Sequence, residues 1–80
     1  MTQQEILAEL TRILQDLLLD DAIELTMETE RHQVPDWDSF AYINFIVAVE
    51  VEFGVKFRVA DVEAFENAGE IVAELQALER

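Results

Sequence analysis

Ser39 is the side chain whose setting suggests chemistry. It follows Asp38 and opens the least polar stretch of the chain, 39–53, in which eleven of fifteen residues are apolar. If that stretch is a helix, Asp38 is placed as its N-cap, its carboxylate accepting a bond from a free amide. Ser39 is then the first helical residue, a surface hydroxyl at the positive end of the helix dipole. A phosphodiester attached there is favoured by a few tenths to about 1 kcal/mol. The same pair also suits a plain helix start, and the two residues alone do not separate these readings. Catalytic partners are scarce. His32 is the only histidine and sits among acids, where a solvated side chain is a simpler reading than a serine–histidine site. No His or Cys cluster has zinc-ligand spacing. Asp36, Asp38 and Asn44 follow a calcium loop only faintly, because Ala41 stands where the glycine is required and Val47 where the closing glutamate belongs. Gly54 and Gly69 are too far apart to form a phosphate-cradling loop. With no metal site and no second catalytic group near Ser39, an enzyme is not expected.

The elements that must position Ser39 read as helices. Over 3–19, Ile6, Leu7, Leu10, Ile13, Leu14, Leu17 and Leu18 recur at steps of three and four and mark one apolar face. Thr2 with Glu5 three residues later fits a capping box, and Arg12 is one turn from Asp16. Residues 20–38 break the rhythm with Asp20-Asp21, scattered acids and the only proline, Pro35. This is a long loop, uncommon in a small domain, with Ile23, Leu25, Met27 and Val34 as pegs onto the core. The second helix runs over 39–53, with Tyr42, Ile46, Val49 and Phe53 as its inward stripe and Gly54 as its left-handed terminator. From Val49 to Val59 the residues also alternate in the manner of a strand. No clear partner strand exists elsewhere, so helix to Phe53 is the preferred reading, with extended structure at 54–59 as the alternative. A short helix suits 60–66, with Val62 and Phe65 inward. Asn67 and Glu70 form a second capping-box pattern for a last helix to Leu78, whose inward face is Ile71, Val72, Leu75 and Leu78. The fold class is all-α: a small four-helix bundle with a long first loop and a short third helix.

Composition bounds the rest. Eighty residues make one domain, 1–80, and 51% apolar content argues against disorder. With no cysteine, disulfides and thiolate–metal sites are excluded and the core must come from packing alone. Eighteen acids against five bases give a net charge of −13. Such a surface repels the phosphate backbone of a nucleic acid and attracts basic partners. Apolar runs are too short to cross a bilayer, and the start Met1-Thr2-Gln3-Gln4-Glu5 lacks the basic region of a signal peptide. A soluble cytoplasmic domain is expected.

Val34-Pro35-Asp36-Trp37-Asp38-Ser39-Phe40, followed by an apolar helix ending Glu50-Val51-Glu52-Phe53-Gly54-Val55-Lys56-Phe57, resembles the acyl carrier proteins. The resemblance extends over the first helix, the long loop, the short third helix and the Asn67-Ala68-Gly69-Glu70-Ile71 start of the fourth. It implies that Ser39 receives 4′-phosphopantetheine from coenzyme A, through a separate phosphopantetheinyl transferase that uses magnesium, with Asp38 helping that engagement. The arm's thiol then carries an acyl or aminoacyl group as a thioester to acyl- or aminoacyl-activating and acyl-processing enzymes. A chain without cysteine can be a thiol carrier because the sulfur arrives with the cofactor. A monomer is implied.

Two departures stand out. Phe40 replaces the family's leucine after the serine and is expected to pack under the helix start. The family's second helix also displays acids to basic partners, whereas here the row beyond Ser39 is Ile43, Val47 and Val51, with Asn44 beside it. A helix apolar on nearly all sides cannot be buried all round in so small a bundle, so part of this row is expected to be exposed. Ile43, Asn44, Val47 and Val51 are the expected docking surface. The acids at Asp20, Asp21, Glu24, Glu28, Glu30, Glu63, Glu66, Glu70 and Glu74 would supply long-range steering. Ordinary partial exposure is the simpler account of the row. Trp37 reads as packing near the helix start, or alternatively as a border of the arm or of a docking enzyme. The alternative function is an unmodified acidic protein–protein interaction module on the same bundle.

Overall fold

Thr2 opens the first helix, α1 (Gln3–Leu18), with both halves of a capping box. The Thr2 hydroxyl accepts from the Glu5 amide at 3.1 Å and the Glu5 carboxylate accepts from the Thr2 amide at 2.8 Å. That backbone bond is the main reason the Glu5 carboxyl is held below its usual value. The computed structural model describes residues 1–78. Ile6, Leu10, Ile13 and Leu14 of α1 are buried at the expected spacing, with Leu7 and Leu18 partly buried beside them. Leu17, expected on the same face, lies at its rim and is exposed. On the outer face Arg12 pairs with Glu9 at 2.8 Å, Asp16 at 3.1 Å and Glu52 at 3.4 Å. Such exposed pairs are each worth under about 1 kcal/mol.

Residues 20–38 form the expected loop, with one 3-10 turn at Arg31–Gln33. Ile23 and Leu25 are buried, and Met27 and Val34 pack against the core. The loop has a second task that the sequence does not announce. Its Met27 and Thr29 carbonyls accept the first amides of α4, from Gly69 at 2.8 Å and Ala68 at 2.9 Å. Gly69 is required there, since a Cβ would stand 2.6 Å from the Met27 oxygen.

The second helix, α2, spans Ser39–Phe53 and ends at Gly54, whose φ is 65°. Both the Gly54 and Val55 amides turn back to the Glu50 carbonyl. The Glu50 carboxylate then takes the Phe57 amide at 2.8 Å, holding 55–58 against the bundle. Among the described residues there is no strand, so the alternating pattern there reports a folded-back connection. The third helix, α3, is Val59–Ala64, one residue earlier at its start and two shorter at its end than 60–66. Phe65 leaves the helix with an extended backbone, yet Val62 and Phe65 pack against the core as expected. The fourth, α4, is Ala68–Leu78. The Asn67 side chain accepts the Glu70 amide at 2.9 Å, while the Glu70 carboxylate takes the Glu66 amide rather than that of Asn67. Ile71, Val72 and Leu75 are buried. Leu78, expected inward, is exposed, because the last turn of α4 runs beyond the core.

The architecture is thus the four-helix bundle with a short third member. Helix α1 packs on both α2 and α4, and the largest fully buried side chains are Phe45, Ile6, Leu10, Leu14, Val49 and Val72. Each such side chain contributes about 1.5–3 kcal/mol by leaving water. Among the described residues no helix is long and apolar enough to cross a membrane.

Candidate functional site

The approach to Ser39 is a tight turn over Val34-Pro35-Asp36-Trp37. The Trp37 amide donates to the Val34 carbonyl at 3.3 Å, and Asp36 has a φ of 68°. Proline followed by a residue of positive φ is the geometry of a type II turn. The turn aims Trp37 inward. Its indole is only 4% exposed, edge-on to Phe45 with centroids 5.2 Å apart, and it also meets Tyr42 at 6.2 Å. Trp37 is therefore a packing residue that anchors the chain immediately before the helix. Asp38 follows as the N-cap, its carboxylate accepting from the Ala41 amide at 2.9 Å.

Ser39 is the first residue of α2 and is exposed. It borders an open cleft of about 500 Å³ with Tyr42 and Ile43 of α2, Arg31 and His32 of the 3-10 turn, and Val62 of α3. The Tyr42 hydroxyl donates to the Val62 carbonyl at 2.7 Å, tying α2 to α3 across this cleft. The Arg31 guanidinium lies over the Tyr42 ring, 5.3 Å from its centroid. Burial pushes the Tyr42 hydroxyl up to about 12, with Arg31 opposing the shift and Glu70 adding to it.

The arrangement suits attachment. The Ser39 hydroxyl stands in solvent, and the Ser39 and Phe40 amides belong to the helix turn that has no intrahelical acceptors. A phosphodiester oxygen fits there, with the dipole in its favour. No hydrogen bond joins Ser39 to His32, whose Nδ1 lies 3.5 Å from the Glu30 carboxylate instead. Among the described residues no group of three or more His, Asp or Glu side chains is placed to hold a metal ion.

Of the expected docking residues, Ile43, Val47 and Val51 are 53%, 51% and 78% exposed, and Asn44 is exposed beside them. Phe40 overturns its expectation. It does not pack under the helix start but is 78% exposed. The reason is helical phase. Phe40 lies nine residues before the buried Val49, or about two and a half turns, which puts it on the opposite side of the helix. The place beneath the helix start is filled by Trp37 and Tyr42. Phe40, Ile43, Val47 and Val51, at steps of three, four and four, form one exposed apolar row starting beside Ser39. That spacing was the available signal for Phe40, and the likeness to the family's leucine obscured it. The two acids of α2, Glu50 and Glu52, lie at its far end. One is bonded to the Phe57 amide and the other is near Arg12.

Comparisons with known proteins bear on this geometry. No family profile matches the chain. Among curated proteins, it is 33% identical over 78 residues to the acyl carrier protein of Rhodococcus erythropolis, covering 98% of this chain and 86% of that protein. It is 32% identical to the meromycolate extension acyl carrier protein of Mycolicibacterium smegmatis, covering 98% and 79%. It is 30% identical to the protein of the same name in Mycobacterium tuberculosis, covering 99% and 69%. Among solved structures, it matches the solution structure of holo acyl carrier protein from Geobacter metallireducens, with a TM-score of 0.83 and 32% identity over 90% of this chain and 83% of that one. Sequence and fold agree across nearly the whole length: the chain belongs to the acyl carrier protein family, and its function is that of a carrier.

Proposed function

We propose that Ser39 is the attachment residue for 4′-phosphopantetheine, and that residues 1–80 act as one cytoplasmic, monomeric carrier domain that does no chemistry of its own. The observation that carries this reading is the exposed Ser39 hydroxyl at the first position of α2, beside the Asp38 cap. A phosphopantetheinyl transferase with magnesium joins the Ser39 oxygen to the phosphorus next to the pantetheine of coenzyme A. The phosphoanhydride bond breaks, adenosine 3′,5′-bisphosphate leaves, and the hydroxyl proton passes to the transferase. The arm supplies a thiol on which an acyl or aminoacyl group rides as a thioester. Asp38 holds the first turn of α2 closed, so that Ser39 is presented at a fixed place, and the free amides stabilise the phosphodiester.

Partners are the transferase and the enzymes that activate or process acyl or aminoacyl groups. The docking surface is Ile43, Asn44, Val47 and Val51, extended by Phe40. Apolar contact then does the close work, and the −13 charge steers basic partners from a distance. Nucleic acid and membrane insertion have no part in this function.

The test is intact mass after incubation with coenzyme A, magnesium and a promiscuous phosphopantetheinyl transferase. The expected outcome is a gain of one phosphopantetheine, absent in Ser39→Ala. No gain in the folded chain, with the transferase of the native host as well, would sink the reading and leave an unmodified acidic interaction module.

A further inference from the structure

Cations are scarce on a chain of net charge −13, and acids take up Arg12 and Arg58. Arg12 lies between Glu9, Asp16 and Glu52, and Arg58 pairs with Asp61 at 3.0 Å. Arg31 differs. Among the described residues it has no carboxylate partner, and its side chain makes no hydrogen bond. What holds it is the Tyr42 ring, whose centroid is 5.3 Å from the guanidinium carbon. That contact engages the charge and none of the N–H donors of the guanidinium.

The place is fixed from both sides. In the 3-10 turn, the Gln33 amide donates to the Glu30 carbonyl at 3.0 Å and the Val34 amide to the Arg31 carbonyl at 3.1 Å. The Gln33 side-chain oxygen takes the Glu30 amide at 2.8 Å. The Tyr42 ring is held by its hydroxyl on the Val62 carbonyl and by the Trp37 ring beside it. The platform under Arg31 therefore needs no ordering when a ligand arrives. It also belongs to the residue three positions after Ser39, and side chains three apart on a helix are neighbours. Arg31, Tyr42 and Ser39 border one cleft. Glu30, Glu63 and Glu66 border it too, and Glu30 faces His32.

We infer that Arg31 is the positioning residue for the arm, its guanidinium holding the phosphodiester that Ser39 carries. The inference rests on Ser39 being the attachment residue, and it adds a charged donor to the free amides of the helix start. The planar fork of a guanidinium matches two oxygens of one phosphate. Attachment makes the contact intramolecular, so the modest strength of an exposed ion pair suffices. Glu30, Glu63 and Glu66 repel the same anion from the rest of the mouth, which leaves Arg31 as its partner. The first atoms of the arm then run from Ser39 toward the 3-10 turn rather than along the outer row of α2.

The unmodified chain and the chain loaded from coenzyme A by a promiscuous transferase are compared at low salt, with loading checked by intact mass. Arg31→Gln assigns the Arg31 Nε–H signal in a proton–nitrogen correlation spectrum. On loading, that signal should move downfield and exchange with water about two- to fivefold more slowly, as an exposed ion pair allows. Those of Arg12 and Arg58 should stay in place. The phosphorus signal of the loaded chain should differ between the parent and Arg31→Gln, and the difference should shrink several-fold between about 20 and about 500 mM salt. Arg31→Lys keeps the charge and loses the fork, and should restore part of the difference. A purely structural role for Arg31 gives no such salt dependence. An Arg31 signal unmoved by loading overturns the inference, as does a phosphorus signal equal in the parent and Arg31→Gln. So does a full shift of the Arg31 signal when the unmodified chain meets about 1 mM inorganic phosphate or coenzyme A, because attachment then adds nothing. Arg31 is exposed; should Arg31→Gln nevertheless fail to fold, Arg31→Lys assigns the signal and the parent's response to loading decides. Failure to gain mass overturns the carrier reading, whereas mass gained with the Arg31 signal unmoved overturns only the positioning role.

Discussion

Helices α1 and α2 have nearly equal length, sixteen and fifteen residues, yet they spend their apolar residues differently. Helix α1 buries Ile6, Leu10, Ile13 and Leu14 and shows solvent mainly charged and polar side chains. It caps itself with Thr2 and Glu5. Helix α2 buries Phe45, Ile46 and Val49 on one side and exposes Phe40, Ile43, Val47 and Val51 on the other. Folding alone accounts for α1. It does not account for the outer row of α2, since an exposed apolar side chain contributes little to stability. The contrast assigns one face of α2 to the core and leaves the other as an apolar row in solvent, the row proposed above for docking.

The contrast breaks most visibly if the two faces of α2 respond alike to substitution. Phe45→Ala, on the inner face, should cost about 3–5 kcal/mol through lost burial and a cavity. Val47→Glu and Val51→Glu, on the outer face, should each change stability by no more than about 0.5 kcal/mol. Both should nevertheless slow turnover by an acyl-processing partner. Chemical denaturation measures the first effect and partner kinetics the second. Unchanged turnover in both glutamate variants would remove the apolar row from docking. A loss of several kcal/mol in either would place that residue in the core.

A second contrast separates the two halves of the molecule by range. The cap of α1 is made by residues three apart, whereas α3 is tied to α2 by the Tyr42–Val62 bond, twenty residues apart. Tyr42→Phe should cost about 0.5–1.5 kcal/mol, the net worth of one hydrogen bond. The same hydroxyl gives a signature in alkali. Its value rises from 10.0 to about 12, with burial as the main cause. The folded chain thus holds the proton more tightly than the unfolded chain. Stability is then fully present below about pH 10 and lost as pH rises through about 12. Tyr42 is the only tyrosine, so absorbance of the tyrosinate should rise together with unfolding. Ionisation near 10 in a chain that stays folded would show the bond to be open in solution.

That difference in range also explains how much was legible beforehand. Local signals carried through: the capping box at Thr2 and Glu5, the Asp38 cap before Ser39, Gly54 as the end of α2, and the four-helix order. Ile23, Leu25, Met27 and Val34 were legible as pegs because apolar residues in a polar loop have few other uses. Long-range pairings left no trace in the local pattern. Nothing near Met27 or Thr29 says that their carbonyls serve the start of α4, about forty residues on. Nothing near Tyr42 names Val62. Phe40 failed for another reason. Its phase relative to Val49 is readable, but likeness to the family's leucine points it to the core. Leu78 kept the helical period and missed the core because the period does not say where the core ends.

The smallest effect compares the two helix ends. Both α1 and α2 stop at a residue in the left-handed region, Leu19 at φ 55° and Gly54 at φ 65°. Glycine takes that conformation freely, while a residue with a Cβ is strained there by about 1–2 kcal/mol. Leu19 gains nothing in return by packing, since it is 91% exposed. Leu19→Gly should therefore stabilise the fold. The gain is reduced because glycine also adds freedom to the unfolded chain, leaving a few tenths to about 1 kcal/mol. Gly54→Ala should destabilise by about 1 kcal/mol. No atom lies within 4 Å of the Cβ it would add, so its cost is backbone strain alone. Both changes should move the denaturant midpoint without altering the slope of the transition. A destabilised Leu19→Gly would mean that the leucine is covered in solution, and that the polar helix of the pair also presents an apolar contact.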